Sequence, residues 1–242
     1  MKENFLKLRK EFNLIKKRGL ISPLRKGTTG LGYTFERLLN KKEDSLSDPD
    51  YYGIEIKTKF GYSKSPLTLF NCVPIRYNEK AINYLFKNYS YKKYKDNNTF
   101  IFERELYVNK SLKKYNYEFR LFVDYYGKRV ILKVFFKENF IEDVCYWNFY
   151  DLEKKLKIKL NFLAIVTAYP YKIGNKLYYK YLKMNIYKLK DFYYFLKLIE
   201  NDKIFVQFYL KKHINDEFII NDGIAFRIDI NYIDKLFVKL NY

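Results

Sequence analysis

The sequence predicts a mixed α/β fold, in which helix-flanked strands come first and β-hairpins follow. Apolar residues recur at helical spacing near the amino terminus, whereas residues 51–60 alternate between apolar and charged side chains. In the second half of the chain, alternating segments flank glycine turns, which is typical of hairpins. The 242 residues, 48% of them apolar, can bury one core or two closely packed lobes.

The first predicted helix covers residues 3–18, with apolar residues at intervals of three and four and Lys and Arg on the other side. A glycine-rich loop at residues 26–32 leads into a second helix at residues 33–40, for which Thr28 or Thr29 is the expected N-cap. The apolar positions of the first helix are Phe5, Leu8, Phe12 and Ile15.

A polar loop at residues 41–49 precedes a predicted strand at residues 51–60. This strand has isoleucines on one face and charged side chains on the other. The charged residues are Glu55, Lys57 and Lys59. We expect residues 66–73 to form its partner strand.

The rest of the chain continues with helices and strands. We predict helices at residues 78–89, 151–159, 191–200 and 231–239. We predict strands at residues 99–108, 117–136, 161–170, 176–187, 203–213 and 223–230, with hairpin turns near Gly127 and Gly174.

The composition excludes several classes of site. The single histidine, His213, and the two cysteines rule out zinc sites built from His and Cys clusters and any disulfide framework. A hard cation held by carboxylates remains open. No apolar run approaches the length of a membrane span, so we expect a cytoplasmic protein without a membrane partner.

The net charge of +20 suggests a polyphosphate partner, although an AT-rich coding bias also produces an excess of lysine. The distribution of the charge is more informative than its total. Residues 154–190 contain ten lysines and no acid, whereas residues 201–242 are neutral overall. We therefore expect residues 154–190 to contact phosphates.

Two carboxylates and one lysine converge at the start of strand 51–60. Glu55 and Lys57 point the same way, and Asp50 stands where the chain can bend its carboxylate toward them. Such oxygen ligands suit Mg²⁺, which can activate a water for attack on a phosphodiester, while the lysine orients that water or offsets phosphoryl charge. Glu36, on the preceding helix, is a candidate third carboxylate.

The same spacing also occurs on ordinary solvated strands, where Glu and Lys form a charge pair, and Glu36 has an equally ordinary interpretation as a surface acid. However, a strand whose other face is buried has little reason to turn two charges inward without a ligand. This context favours the functional interpretation.

The residues around this cluster resemble the active-site block of the MvaI/BcnI restriction endonucleases, which are related to the mismatch-repair nickase MutH. The resemblance covers both ends of the chain, and the middle diverges. The similar segments are residues 27–36 (GTTGLGYTFE), 49–59 (PDYYGIEIKTK), 66–70 (PLTLF), 222–228 (DGIAFRI) and 236–237 (LF).

This resemblance implies a PD-(D/E)xK restriction-endonuclease-like core sheet flanked by helices, with a hairpin-rich recognition lobe and a need for Mg²⁺. By position, Asp50 and Glu55 would be metal ligands, Lys57 would position the water, and Glu36 would assist the metal site. We expect a catalytic lobe from residues 1–110 with part of 111–160, and a DNA-recognition lobe at approximately residues 161–242.

Members of this family act as monomers on double-stranded DNA and cut one strand at a time in CC/GG-type sites. A cognate DNA methyltransferase is then the expected functional partner, without a required physical contact. The sequence departs from the family pattern at Asp222, where the family has a histidine. The role of that histidine is therefore not carried over, and the recognition sequence can differ.

The neutral segment 201–242 is our candidate for reading bases, because it offers acceptors as well as donors. The alternative for its turn is an ordinary polar hairpin loop. The candidate base-reading residues are Arg227, Asp222, Lys211, His213, Asn215 and Asp216. For phosphate contact we single out Lys172 and Lys176, on either side of the predicted turn at Gly174.

The leading hypothesis is a type II, sequence-specific DNA endonuclease that requires Mg²⁺. Two alternatives remain open at this stage. One is a MutH-like, methylation-sensitive strand nickase. The other is a DNA-binding module of the same fold that has lost activity, although all four polar positions hold competent residues.

Overall fold

The computed structural model describes residues 1–40, 49–93, 96–110 and 117–241. Residues 41–48, most of the predicted polar loop, lie outside the described residues. Within the described ranges the chain forms three β-sheets with helices around them, so the predicted mixed α/β class is confirmed.

The first five helices lie close to their predicted positions. None of those in the described ranges is long and apolar enough to cross a membrane. The α-helices are α1 (Lys2–Lys17), α2 (Gly30–Leu38), α3 (Ala81–Tyr89), α4 (Phe149–Leu160), α5 (Phe192–Glu200) and α6 (Ile233–Leu236), with a 3-10 turn at Ile230–Tyr232 just before α6.

Twelve strands are found in the same ranges. The first six are β1 (Glu55–Phe60), β2 (Leu67–Asn71), β3 (Tyr91–Lys93), β4 (Asp96–Leu106), β5 (Tyr117–Asp124) and β6 (Arg129–Phe136). The others are β7 (Asn139–Asn148), β8 (Phe162–Ile173), β9 (Lys176–Leu189), β10 (Ile204–His213), β11 (Ile220–Ile228) and β12 (Phe237–Leu240).

The chain forms two compact units that interleave along the sequence. The first unit contains residues 1–65, 156–190 and 237–242, and the second contains residues 66–155 and 191–236. This division differs from the lobe boundary that we expected near residue 161. Strands β8 and β9, which we assigned to the recognition lobe, belong to the same sheet as Glu55.

The sheet of the first unit has the strand order β1-β8-β9-β12. Strand β1 is parallel to β8, so that Glu55 stands opposite Leu163 and Lys57 opposite Ile165. Helices α1 and α2 bury their apolar sides in the core of this unit, as the three-and-four spacing predicts. The buried residues of α1 are Phe5, Leu8, Phe12 and Ile15.

The second unit contains a five-stranded sheet, β2-β11-β10-β4-β3, and a three-stranded meander, β5-β6-β7. Buried aromatic rings fill the space on one side of the five-stranded sheet and pack edge to face or tilted. These rings include Phe70, Phe102, Trp147, Phe208 and Phe226.

Several features of local structure differ from the predictions. Strand β2 does not pair with β1, because it joins the second unit as a neighbour of β11. The predicted closing helix at residues 231–239 ends at Leu236, and the chain continues as strand β12. Strand β7 was missed, because residues 139–148 lack a strict alternation of apolar and polar side chains.

Candidate active site

A tight turn precedes β1 and places Asp50 beside it. The backbone groups of Tyr51 and Ile54 exchange two hydrogen bonds of 2.9 Å, and Tyr52 and Gly53 have positive φ angles of 45° and 84°. Residues 51–54 are thus a turn and not the first half of a strand. The turn lets a carboxylate oxygen of Asp50 accept a hydrogen bond of 2.9 Å from the backbone N–H of Ile56.

Glu55 is buried, with 1% of its surface exposed, at the first position of β1. Its Oε1 atom lies 2.6 Å from the ammonium nitrogen of Lys57. Its Oε2 atom is inaccessible to solvent and has no hydrogen-bond partner in the described part of the chain. The ammonium nitrogen of Lys159, from the last turn of α4, lies 3.6 Å from Oε2.

Burial raises the pKa of the Glu55 carboxyl above its usual value of 4.5. The nearby Asp50 carboxylate raises this pKa further, and the ammonium groups of Lys57 and Lys159 lower it. The raised pKa indicates that the local site compensates the negative charge of Glu55 incompletely. A divalent cation held by this carboxylate would add positive charge to that of the two lysines.

Helix α2 forms the opposite wall of this site. The buried hydroxyl of Thr34 donates to the Gly30 carbonyl at 2.7 Å and accepts from the Leu24 N–H at 3.0 Å, which anchors the helix to the preceding segment. A side chain at Gly32 would come within 3.3 Å of the Thr58 hydroxyl and 3.7 Å of Glu36 Oε1. The helix therefore approaches β1 closely and turns Glu36 toward it.

These groups line one open cleft of about 410 Å³ within the first unit. The cleft brings together all four predicted catalytic residues. Its lining residues are Arg25, Thr28, Thr29, Gly32, Tyr33, Glu36, Asp50, Glu55, Ile56, Lys57, Thr58 and Lys159.

The donor set of the cleft fits a hard divalent cation. Asp50 and Glu55 offer carboxylate oxygens, which Mg²⁺ prefers, and the buried Oε2 atom of Glu55 has no hydrogen-bond partner among the described residues. Among the described residues, however, no three His, Cys, Asp or Glu side chains form a ready-made metal-binding group. Glu36 lines the cleft without completing such a group.

Arg227, a predicted base-reading residue, makes two hydrogen bonds inside the second unit. Its guanidinium donates to the Gln207 side-chain oxygen at 2.6 Å and to the Pro66 carbonyl at 2.9 Å. The partner Gln207 stands on β10, beside Ala225 of β11, and was not identified from the sequence. These bonds connect β11, which carries Arg227, to β10 and to the residue that precedes β2.

Lys211 and Asp222 form an ion pair of 2.5 Å at the edge of the same hairpin. The register of β10 and β11 moves from Tyr209–Gly223 to Leu210–Asn221, which leaves Asp222 as the extra residue of a β-bulge. Lys211 and Asp222, which we predicted as a donor and an acceptor for base edges, therefore contact each other. Each side chain satisfies part of the other's hydrogen-bonding capacity.

The turn after β10 holds the remaining predicted base-reading residues. The Asp216 carboxylate accepts from the backbone N–H of His213 at 3.0 Å, and the Asn215 N–H donates to His213 Nδ1 at 3.3 Å. In the first unit, Lys172 and Lys176 are exposed on either side of the β8–β9 turn, as predicted.

Sequence reasoning missed Arg25 and Lys159 as cleft residues. Arg25 lies over the Tyr33 ring, with its guanidinium carbon 3.8 Å from the ring centre. Lys159 belongs to a helix with several lysines, and nothing in its local spacing distinguishes it from the others. Only the parallel pairing of β1 with β8 brings the end of α4 to Glu55.

Two comparisons with known proteins find a similar family and similar solved structures. The model of the MvaI/BcnI restriction endonuclease family matches residues 9–237. The solved structure of a complex of restriction endonuclease MvaI with cognate DNA is 31% identical, with a TM-score of 0.88, and the match covers 99% of this chain and 98% of that chain. For MvaI in the absence of DNA the identity is 30% and the TM-score is 0.63, with the same coverage.

No curated protein sequence matches the chain. The family model nevertheless spans nearly all of it, and the similarity to MvaI extends over almost the full length of both chains. The architecture and the match along the sequence lead to the same assignment. The chain belongs to the MvaI/BcnI restriction endonuclease family and is a nuclease of that family.

Proposed function

We propose that this nuclease is a type II restriction enzyme of the PD-(D/E)xK class that hydrolyses phosphodiester bonds in double-stranded DNA with Mg²⁺. The observation that carries the proposal is the convergence of Asp50, Glu55 and Lys57 at the start of β1 in one open cleft. The DNA complex of the similar enzyme MvaI supports DNA as the substrate.

Asp50 and Glu55 would hold the cation, and Glu36 would reach it through water. When bound, Mg²⁺ supplies Lewis-acid activation of the water and of the phosphoryl oxygens. Lys57 is close enough to Glu55 to stay in the site and can turn its ammonium group toward the attacking water or the phosphate. The hydrogen bond from the Ile56 N–H fixes the Asp50 carboxylate next to Glu55.

We assign cleavage to the first unit and base reading to residues of the second. Lys211, His213, Asn215, Asp216, Asp222 and Arg227 remain the base-reading candidates, while Lys172 and Lys176 would contact phosphates. By the family resemblance, we expect a monomer that nicks one strand at a time at a short site containing CC/GG. A cognate DNA methyltransferase would protect the host site.

Plasmid cleavage tests the proposal directly. Purified protein is incubated with Mg²⁺ and with unmethylated or methylated plasmid, and the DNA ends are mapped by sequencing. We expect discrete fragments from the unmethylated plasmid that disappear with Asp50→Ala and Lys57→Ala. Lys59→Ala is the matched control, because Lys59 is the next same-face lysine of β1 and is not among the cleft residues.

Other outcomes would contradict the proposal. Binding to DNA without any cleavage would indicate an inactive DNA-binding module. A nicked circle that never becomes linear, although the mapped site is present, would indicate a MutH-like nickase.

A further inference from the structure

We propose that Lys159 is a positioning residue of the active site, which holds the Glu55 carboxylate in place through the oxygen that Lys57 does not contact. This inference rests on the proposed function, and it concerns a residue outside the Asp50–Glu55–Lys57 pattern. It starts from the unequal surroundings of the two oxygens of Glu55. Lys57 contacts Oε1 at 2.6 Å, whereas Oε2 is buried without a hydrogen bond in the described residues and faces Lys159 at 3.6 Å.

The backbone fixes Lys159 at this place. Leu156 and Leu160, on the same last turn of α4, are fully buried. The chain then passes through Asn161 directly into β8, whose Leu163 stands opposite Glu55 in the parallel ladder. Lys159 is thus only four residues from the register partner of Glu55, and a shift of α4 would disturb β8 as well.

Lys57 and Lys159, which both face the Glu55 carboxylate, have different roles in the proposed reaction. Lys57 can act on water or phosphate only if its ammonium group leaves Glu55 Oε1 during catalysis. Glu55 would then be a buried carboxylate that has lost its nearest positive partner. Lys159 remains beside Oε2, 22% of its side chain being exposed, and keeps the carboxylate in its position.

The test uses Lys159→Met, which keeps most of the unbranched side chain and removes its charge, and Lys159→Arg, which keeps the charge. Lys157→Met is the matched control, because Lys157 lies on the same helix and is exposed. Single-turnover cleavage is measured on saturating plasmid DNA that the wild type cuts. Binding of a fragment with the mapped site is measured in Ca²⁺.

We expect Lys159→Met to lower the single-turnover rate about 10–100-fold, the range found for residues that orient metal ligands. Its DNA affinity should stay within about twofold of that of Lys157→Met, and Lys159→Arg should recover most of the rate. A loss of DNA affinity equal to the loss of rate would make Lys159 a phosphate contact and overturn the proposal.

Thermal unfolding without DNA supplies a readout that does not depend on cleavage. Lys159→Met should lower the Tm by about 2–4 °C in the wild-type background and not at all in Glu55→Gln. Equal shifts in both backgrounds would show that Lys159 does not act through Glu55. Because no DNA is needed, this result stands apart from any failure of the proposed cleavage activity.

Discussion

The Asp50 carboxylate accepts a hydrogen bond of 2.9 Å from the backbone N–H of Ile56, the residue that directly follows Glu55. The bond closes the turn at residues 51–54 and holds the two carboxylates at the same end of β1. Under the proposed function, Asp50 therefore has two separable tasks. One is to close this turn, and the other is to offer negative charge to a cation.

Asp50→Asn should separate these tasks. The amide oxygen of asparagine can still accept from Ile56, so the fold is retained, while the charge is lost. We expect cleavage to fall by about 100-fold or more, the effect of removing one electrostatic group from such a site. The Tm should stay within about 2 °C of wild type. Cleavage in Mg²⁺ and thermal unfolding measure the two effects, and retained cleavage would contradict the ligand role.

Glu55→Gln should abolish cleavage and stabilise the fold. Burial raises the pKa of Glu55, so the ionised side chain makes the folded state less stable, and glutamine resembles the protonated form. We expect a rise in Tm of about 2–4 °C at neutral pH, as is typical when strain at an active site is relieved.

The pH dependence of this gain follows from the sign of the shift. Below the unfolded-state pKa, near 4.5, both proteins carry a neutral group and the difference in Tm should vanish. As the pH rises toward the raised folded-state pKa, the wild type loses stability relative to Glu55→Gln, and the difference then becomes constant. A Tm difference that shrinks with rising pH would contradict the assignment.

Local patterns were sufficient to predict α1 and the convergence of Asp50, Glu55 and Lys57 in one cleft. The buried positions Phe5, Leu8, Phe12 and Ile15 follow directly from helical spacing. Asp50, Glu55 and Lys57 lie within eight residues, so one turn and one strand bring them together. Segments of this kind carry their structural information in their own sequence.

Other features depend on contacts between distant segments and could not be read locally. The parallel ladder of β1 and β8 joins Glu55 to Leu163, and it alone explains why Lys159 reaches the site. Residues 237–239 were wrongly assigned to the closing helix, because Ile233, Leu236 and Phe237 have spacings that suit a helix. In the structure, β12 pairs with the edge of β9 and overrides that spacing.

Arg227→Ala should destabilise the second unit. The substitution leaves the Gln207 side-chain oxygen and the Pro66 carbonyl without this donor. We expect a loss of about 1–3 kcal/mol in the free energy of unfolding, measured in urea. Lys211→Ala, which breaks an exposed ion pair, is the control and should destabilise the protein much less. Equal losses would contradict the structural role of Arg227.

Gly30→Ala should disturb the start of α2 and, with it, the cleft. An added Cβ at residue 30 would lie 2.3 Å from the backbone oxygen of Arg25, which cannot move without shifting the chain. We expect a loss of about 1–3 kcal/mol in stability, together with weaker cleavage.

Gly32→Ala is the control on the same helix, because its Cβ would meet side-chain atoms and no backbone, namely the Thr58 hydroxyl at 3.3 Å and Glu36 Oε1 at 3.7 Å. The gain in helix propensity, about 1 kcal/mol, offsets that contact. If both variants unfolded at the same urea concentration, the close approach of Gly30 to Arg25 would not limit the fold.

Lys172 and Lys176 should contribute to DNA affinity through salt-dependent phosphate contacts. Both are exposed at the turn between β8 and β9, in a segment without acidic residues. We expect each substitution by alanine to weaken binding of all sequences alike and to reduce the slope of log K against log salt by about 1. The slope is measured with fragments that contain or lack the mapped site.

Glu138→Gln, at an exposed turn of the second unit, is the control that shows whether any change of charge alters this slope. If the lysine variants weakened only the specific fragment, these residues would read bases and would not simply hold the backbone.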